Sequence, residues 1–229
     1  MLVPRRRRGF EHLDDPRTDA ALRERSLRDV RRANTLLGGA WAVLAELRRV
    51  LDPSHPAVTL LDVGTGLADI PARARRMAAR HGVELTTFGV DEAETLARVS
   101  GGLLDGSTCA DARRLPFGDA SIDVVICSQV LHHFEDADIP AVLAELSRVA
   151  RRAVIVSDLR RSWIAAAGFW LVSWPLAFHP VSRHDGLTSV LRGFTPGELT
   201  RHVSAGTGRS PSVRRHLGFR LTATWNPRR

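Results

Sequence analysis

Three acids carry most of the chemistry legible in this chain, and each stands at or just past the end of a short apolar run. Asp62 sits in Leu60-Leu61-Asp62-Val63-Gly64-Thr65-Gly66, Asp91 closes Thr86 to Asp91, and Asp111 follows Cys109-Ala110. A carboxylate beside a glycine turn can hold the turn or bind an ammonium group. One at a strand end can accept from two neighbouring hydroxyls, as on a ribose. A third, with Ala112 and Leu115 beside it, can accept from an exocyclic amine while its apolar neighbours cover a ring. Any one of these acids would suit a helix cap or turn. Three at successive strand ends mark the edge where open α/β sheets bind ligands.

Between strand and helix, Gly64 and Gly66 let the backbone approach a ligand and aim a helix N-terminus at it. The same turn suits a dinucleotide, but Asp69 replaces the third glycine of that fingerprint and Asp62 sits badly beside a pyrophosphate. Two histidines, His132 and His133, follow a later strand. Their side chains can take a proton near neutral pH, and adjacent residues on a turn point in different directions. His133 is assigned as the base, with His132 as a substrate contact. No His, Cys, Asp or Glu set has ligand spacing, so no metal is expected.

The elements that position these residues alternate. Asp19 to Leu51 has helical spacing, broken at Gly38-Gly39. Strands are predicted at Val58 to Val63, Leu85 to Val90, Ile122 to Cys127 and Ala153 to Ser157. Helices are predicted at Ile70 to Arg80 and Ala137 to Ala150, and a hairpin turns around Gly218 between Ser212 and Trp225. Strands separated by helical patterns imply βαβ units and a parallel sheet. The expectation is an α/β, doubly wound, mostly parallel sheet with an N-terminal helical cap and an inserted apolar lid helix. A flexible basic arm (1–18), carrying Arg5 to Arg8, precedes a single domain (19–229). That domain divides into cap (19–56), ligand-binding core (57–160), lid region (161–211) and C-terminal hairpin (212–229).

Trp163 to Phe178 carries no charge and places Trp163, Trp170, Trp174 and Phe178 on one helical face. A membrane span is rejected: Pro175 and Pro180 interrupt the stretch, and the strands around it must share one sheet. A lid over a greasy pocket or a helix resting on a membrane surface beside Arg160, Arg161 and Arg183 both fit. An aromatic lid predicts a lipophilic ligand, with Trp170 and Trp174 as contacts. Arg183 to Gly186 reads as a loop, and Thr195 to Glu198 as a capping box with Pro196 at the first helical position.

The net charge of +8 comes from 33 basic residues that are all arginine, and tyrosine is absent as well. That skew reads as a coding bias, so the basic excess does not by itself argue for nucleic acid. Cys109 and Cys127 lack the C-x-x-C arrangement, and no signal peptide is visible. A cytoplasmic location, with a peripheral membrane contact through 163–178, is the expectation.

LLDVGTGLADIP, the later VDE, CADARRLPFGDASIDVVICSQVLHHFED and VIVSDL, in that order over residues 58–160, resemble class I S-adenosylmethionine-dependent methyltransferases. The likeness is nearest to the ubiquinone/menaquinone-biosynthesis-like small-molecule group, with GTG where GCG or GSG is commoner. The resemblance implies that the sheet is Rossmann-like and seven-stranded. It implies that Asp62, Gly64, Thr65 and Gly66 cradle the methionine end of S-adenosyl-L-methionine, that Asp91 binds ribose, and that Asp111 with Ala112 meets adenine. Ser128 and Gln129 would face the methionine or the substrate, and the segment holding His179 and His184 would build the substrate pocket. The implied activity is methyl transfer to oxygen or carbon of a polyketide-, quinone- or aromatic-like molecule in secondary metabolism. An RNA methyltransferase is the alternative, weakened because SQVL stands where an N/D-P-P-Y/F motif is expected. A non-catalytic cofactor-binding or membrane-associated partner protein is another, and a nicotinamide dehydrogenase the last.

Overall fold

In a computed structural model, residues 3–7, 9–12 and 17–228 are described. Seven strands form one sheet: β1 (Ala57–Val63), β2 (Glu84–Asp91), β3 (Gly106–Cys109), β4 (Ile122–Ser128), β5 (Ala150–Leu159), β6 (Ser212–His216) and β7 (Arg220–Trp225). Their spatial order is β3-β2-β1-β4-β5-β7-β6, with β7 antiparallel to both neighbours and the remaining pairs parallel. The order in which strands are added to the sheet reverses between β1 and β4, and that switch point opens a crevice at the carboxyl edge.

Every residue of β4 is buried, as expected of a strand covered on both faces. Side-chain alternation then divides the core in two. Val58, Leu60, Val124 and Ile126 pack under α2 (Gly39–Val50) and α3 (Asp69–Ala79). Leu61, Val63, Val125 and Cys127 pack against α5 (Ile139–Val149) and α8 (Pro196–Thr207) on the other face. The capping box at Thr195 and Glu198 forms as the spacing predicts. Buried Glu46 of α2 accepts from Arg214 at 2.9 Å and Thr224 at 3.4 Å, tying the cap to the C-terminal hairpin.

Four elements depart from the sequence reading. The polar four-residue β3 and the preceding α4 (Glu94–Gly101) have no apolar run to announce them. Arg183 to Gly186 is not a loop; it lies inside α7 (Pro180–Arg192), which Pro180 starts and His179 caps. The basic arm does not stand off into solvent over its described residues. Pro4 is buried and accepts from Arg161 Nε at 2.9 Å, Arg6 pairs with Asp136 and stacks on Phe194, and Glu11 pairs with Arg192 at 2.9 Å. Arg8 lies outside the described residues.

This segment, α1 (Ala20–Leu36), α6 (Trp163–Ser173) and α7 form a roof over the sheet's carboxyl edge. Its small core joins Ala165 and Ala166 of α6 to Val190 of α7 and Leu159 of β5. Among the described residues no helix is long and apolar enough to cross a membrane.

Candidate active site

Beneath the roof lies a cavity of about 1030 Å³, which the ends of β1, β2, β4 and β5 floor and α1, α6, α7 and Glu11 cover. Asp62, Gly64, Thr65, Gly66, Asp91, Ala112, Ser128, Gln129, His132 and His133 all line it. The fold brings together ten of the predicted residues from five separate stretches of sequence.

The glycine turn is drawn across β2: Gly64 and Thr65 donate to the Val90 carbonyl at 2.8 and 3.0 Å, and Gly66 donates to Asp91 Oδ2 at 2.9 Å. Asp91 Oδ1 takes a further bond from Ala93 N–H at 3.0 Å. Both glycines have positive φ, 73° for Gly64 and 54° for Gly66, a region that glycine enters without strain. A Cβ on Gly64 would collide with Val130, while the space before Gly66 is open.

Buried polar atoms normally find partners. Here Asp62 Oδ1, Thr65 Oγ1, Asp69 Oδ2 and Ser128 Oγ are buried with none among the described residues. Burial pushes the Asp62 carboxyl well above its ordinary value, and the nearby charges of Asp69 and Asp91 add to the rise. Burial raises Asp69 and Asp91 too, against Arg73 for the first and the Gly66 and Ala93 amides for the second. A cluster of acids held at such cost fits a cationic, hydroxyl-bearing ligand such as S-adenosyl-L-methionine.

Other predictions are corrected. Asp111 does not line the cavity: its carboxylate is spent on the Arg113 guanidinium at 2.6–3.1 Å, which holds it below its ordinary value. Trp170 and Trp174 are 49% and 57% exposed and face away from the cavity, where α6 presents Gly168, Phe169 and Val172 instead. One helical face did gather the tryptophans, but it is the outer one. His179 accepts from Val181 N–H to cap α7, and His184 lies against Asp185, so neither lines the cavity.

Around the histidines the geometry sets the two rings apart. His132 is buried, with Nδ1 2.8 Å from Asp158 Oδ1 and its backbone N–H 3.2 Å from Oδ2. An ionised carboxylate only accepts, so Nδ1 is the donor of this bond and Nε2 is the nitrogen left over. Burial works to raise Asp158, but the charge and hydrogen bond of His132, with the Leu159 amide, hold it below its ordinary value. His133 is the more exposed of the two, its ring tilted 35° against that of His132 with centroids 4.2 Å apart.

Asp158 was missed in the sequence although VIVSDL ends β5 in an acid as LLDV does β1. Arg160, read in the sequence only as a flank of a membrane-resting helix, and Arg220, which gave no signal there, also line the cavity. Two groups meet the distance condition for an ion, with ligand atoms within 4.8 Å of one another: Glu11, His132 and His133, and His12, His184 and Asp185. Long separations hid both from a search by spacing.

Residues 61–156 match the family model described as a methyltransferase domain. The strand order is that of the class I methyltransferase fold. A candidate O-methyltransferase from Nostoc punctiforme superposes with a TM-score of 0.57 at 17% identity, over 82% of this chain and 56% of that one. Magnesium protoporphyrin IX methyltransferase from Synechocystis, solved with S-adenosylmethionine, gives 0.55 at 14% over 94% and 87%. The CurJ carbon methyltransferase gives 0.54 at 12% over 78% and 50%. The chain thus spans little more than half of the first of these structures. No curated protein matches the sequence. The matched segment supplies the sheet edge and glycine turn, while the roof comes largely from residues outside it.

Proposed function

We propose that this chain transfers the methyl group of S-adenosyl-L-methionine to an oxygen or carbon of a lipophilic small molecule. The cavity carries this reading: its volume of about 1030 Å³ stands at the upper end of the range for ligand sites, and it joins an acid-lined sheet edge to an apolar roof. Asp62, Gly64, Thr65, Gly66 and Ser128 would hold the methionine end, Asp91 the ribose and Ala112 the adenine face. When bound, the cofactor supplies a methyl group on a positively charged sulfur.

The protein's own part is to align the nucleophile and exclude water. Phe169, Val172 and Phe178 provide the apolar wall. His132 accepts the proton of an acceptor hydroxyl or acidic carbon, and Asp158 stabilises the imidazolium that results. His133 becomes a wall residue beside it. A polyketide-, quinone- or aromatic-like acceptor, as in secondary metabolism, suits the lining. The related folds include one protein named for magnesium protoporphyrin IX and one for carbon methylation.

The outer face of α6 favours a second reading for location. Trp163, Ile164, Trp170, Leu171 and Trp174 are 43–62% exposed, and Arg183 lies over the Trp174 ring at 4.0 Å. This face would rest on an anionic membrane surface from the cytoplasmic side and admit lipophilic acceptors to the cavity. Sedimentation with phosphatidylserine vesicles tests it, and loss of binding in a Trp170→Ser/Trp174→Ser variant is the expected result.

The activity reading is tested by calorimetric titration with S-adenosylhomocysteine, with NAD as control. Micromolar binding of the first and none of the second is expected; binding of neither would overturn the cofactor assignment.

A further inference from the structure

Arg160 is the first residue past β5 and lines the cavity. Its guanidinium lies over the Phe219 ring, 5.0 Å from the centroid, and its buried Nε has no hydrogen-bond partner among the described residues. The acids on the roof side are spent: Glu11 pairs with Arg192 at 2.9 Å, Asp29 with Arg32 at 3.9 Å, and Asp185 with His12 and His184 at 3.0 and 3.1 Å. No carboxylate among the described residues lies within ion-pair distance of Arg160. Next to it Arg220, fully buried at the start of β7, donates to Gln129 Oε1 at 2.6 Å.

Position decides which ligand this charge faces. β5 lies two strands from β1, on the side away from Asp91, so at a spacing of about 4.8 Å per strand Arg160 is roughly 10 Å from the glycine turn. It belongs with Leu159, Phe169 and Val190, the apolar end of the cavity. A guanidinium stacked on an aromatic ring is fixed in plane and presents paired donors to an anion.

We propose that Arg160 captures an anionic group of the acceptor, a carboxylate or phosphate, and that the enzyme therefore methylates lipophilic acids rather than their neutral counterparts. This rests on the methyltransferase reading for the identity of the second ligand. Phe219 orients the guanidinium, and Arg220 offsets the negative charge of Asp158 that the incoming anion would otherwise meet.

The test titrates protein saturated with S-adenosylhomocysteine with hydroxynaphthoic and hydroxyphenyl-alkanoic acids, each beside its primary amide. At least one acid should bind about tenfold or more tightly than its amide. That preference should fall to about twofold or less in Arg160→Gln and persist in Arg160→Lys, with S-adenosylhomocysteine affinity unchanged in both. An acid preference equal in wild type and Arg160→Gln, or no acid binding at all, overturns the proposal. So does weakened affinity of Arg160→Gln for S-adenosylhomocysteine but not for its decarboxylated analogue, which would give Arg160 to the cofactor. If wild type fails to bind S-adenosylhomocysteine, the methyltransferase reading fails instead, and the acid and amide titrations of the ligand-free protein still read Arg160.

Discussion

His132 and Asp158 form a buried pair, with Nδ1 2.8 Å from Oδ1, at the floor of the cavity. The pair orients the ring and leaves one nitrogen for the acceptor. His132→Asn keeps a donor toward Asp158 and removes Nε2. Turnover of a hydroxyl acceptor should fall by about 10²–10⁴-fold, with S-adenosylhomocysteine affinity unchanged by calorimetry. His133→Ala should cost less than about tenfold; the opposite ranking would return the base to His133.

Asp91 accepts from Gly66 and Ala93 while facing the cavity. Asp91→Ala should weaken S-adenosylhomocysteine binding by about tenfold or more, because both a ligand acceptor and the tether of the turn are lost. Unchanged affinity would refute the ribose assignment.

Gly64→Ala forces a side chain into positive φ and against Val130. A melting temperature lowered by the equivalent of about 1–3 kcal/mol is expected, together with loss of cofactor binding. For Gly66→Ala, where the space is open, the melting temperature should change less than the affinity.

Cofactor affinity should rise with pH. Burial raises Asp62 in the free protein, whereas a bound ammonium or sulfonium favours its carboxylate. Binding below the raised value must therefore expel a proton, and affinity climbs by up to about tenfold per pH unit until that value is passed. Titrations in buffers of different ionisation enthalpy would show the released proton. In Asp62→Asn the proton release should shrink.

Trp170→Ser/Trp174→Ser should leave acceptor KM in dilute detergent-free solution within about twofold, since both side chains face outward. Phe169→Ala, on the cavity face of α6, should raise KM for a lipophilic acceptor by about tenfold or more. The reverse pattern would show that α6 turns over when a ligand binds.

The sheet and its ligand edge were legible because burial on both faces demands unbroken apolar runs, and because Asp62, Asp91 and the glycines sit where those runs end. Helical periodicity located the tryptophans of α6 but is silent about which side of a stripe faces a cavity, and it ran Phe178 into the same face although the helix ends at Ser173, so exposed Trp174 and buried Phe178 part company. Gly106–Cys109 escaped because a short strand at the edge of the sheet needs little hydrophobicity. Asp111 misled because a strand-end acid reads the same whether it waits for a ligand or is already held by Arg113 two residues on. His132 and Asp158 stand 26 residues apart, and only the pairing of β4 with β5 makes them neighbours.

The roof is built from chain that precedes β1 and follows β5, while the glycine turn and its acids lie between. On the proposed reading, selection can recast the acceptor end residue by residue without touching the turn and acids assigned to the cofactor. A family of such enzymes could diversify its chemistry at the margins of the chain and keep one methyl donor throughout.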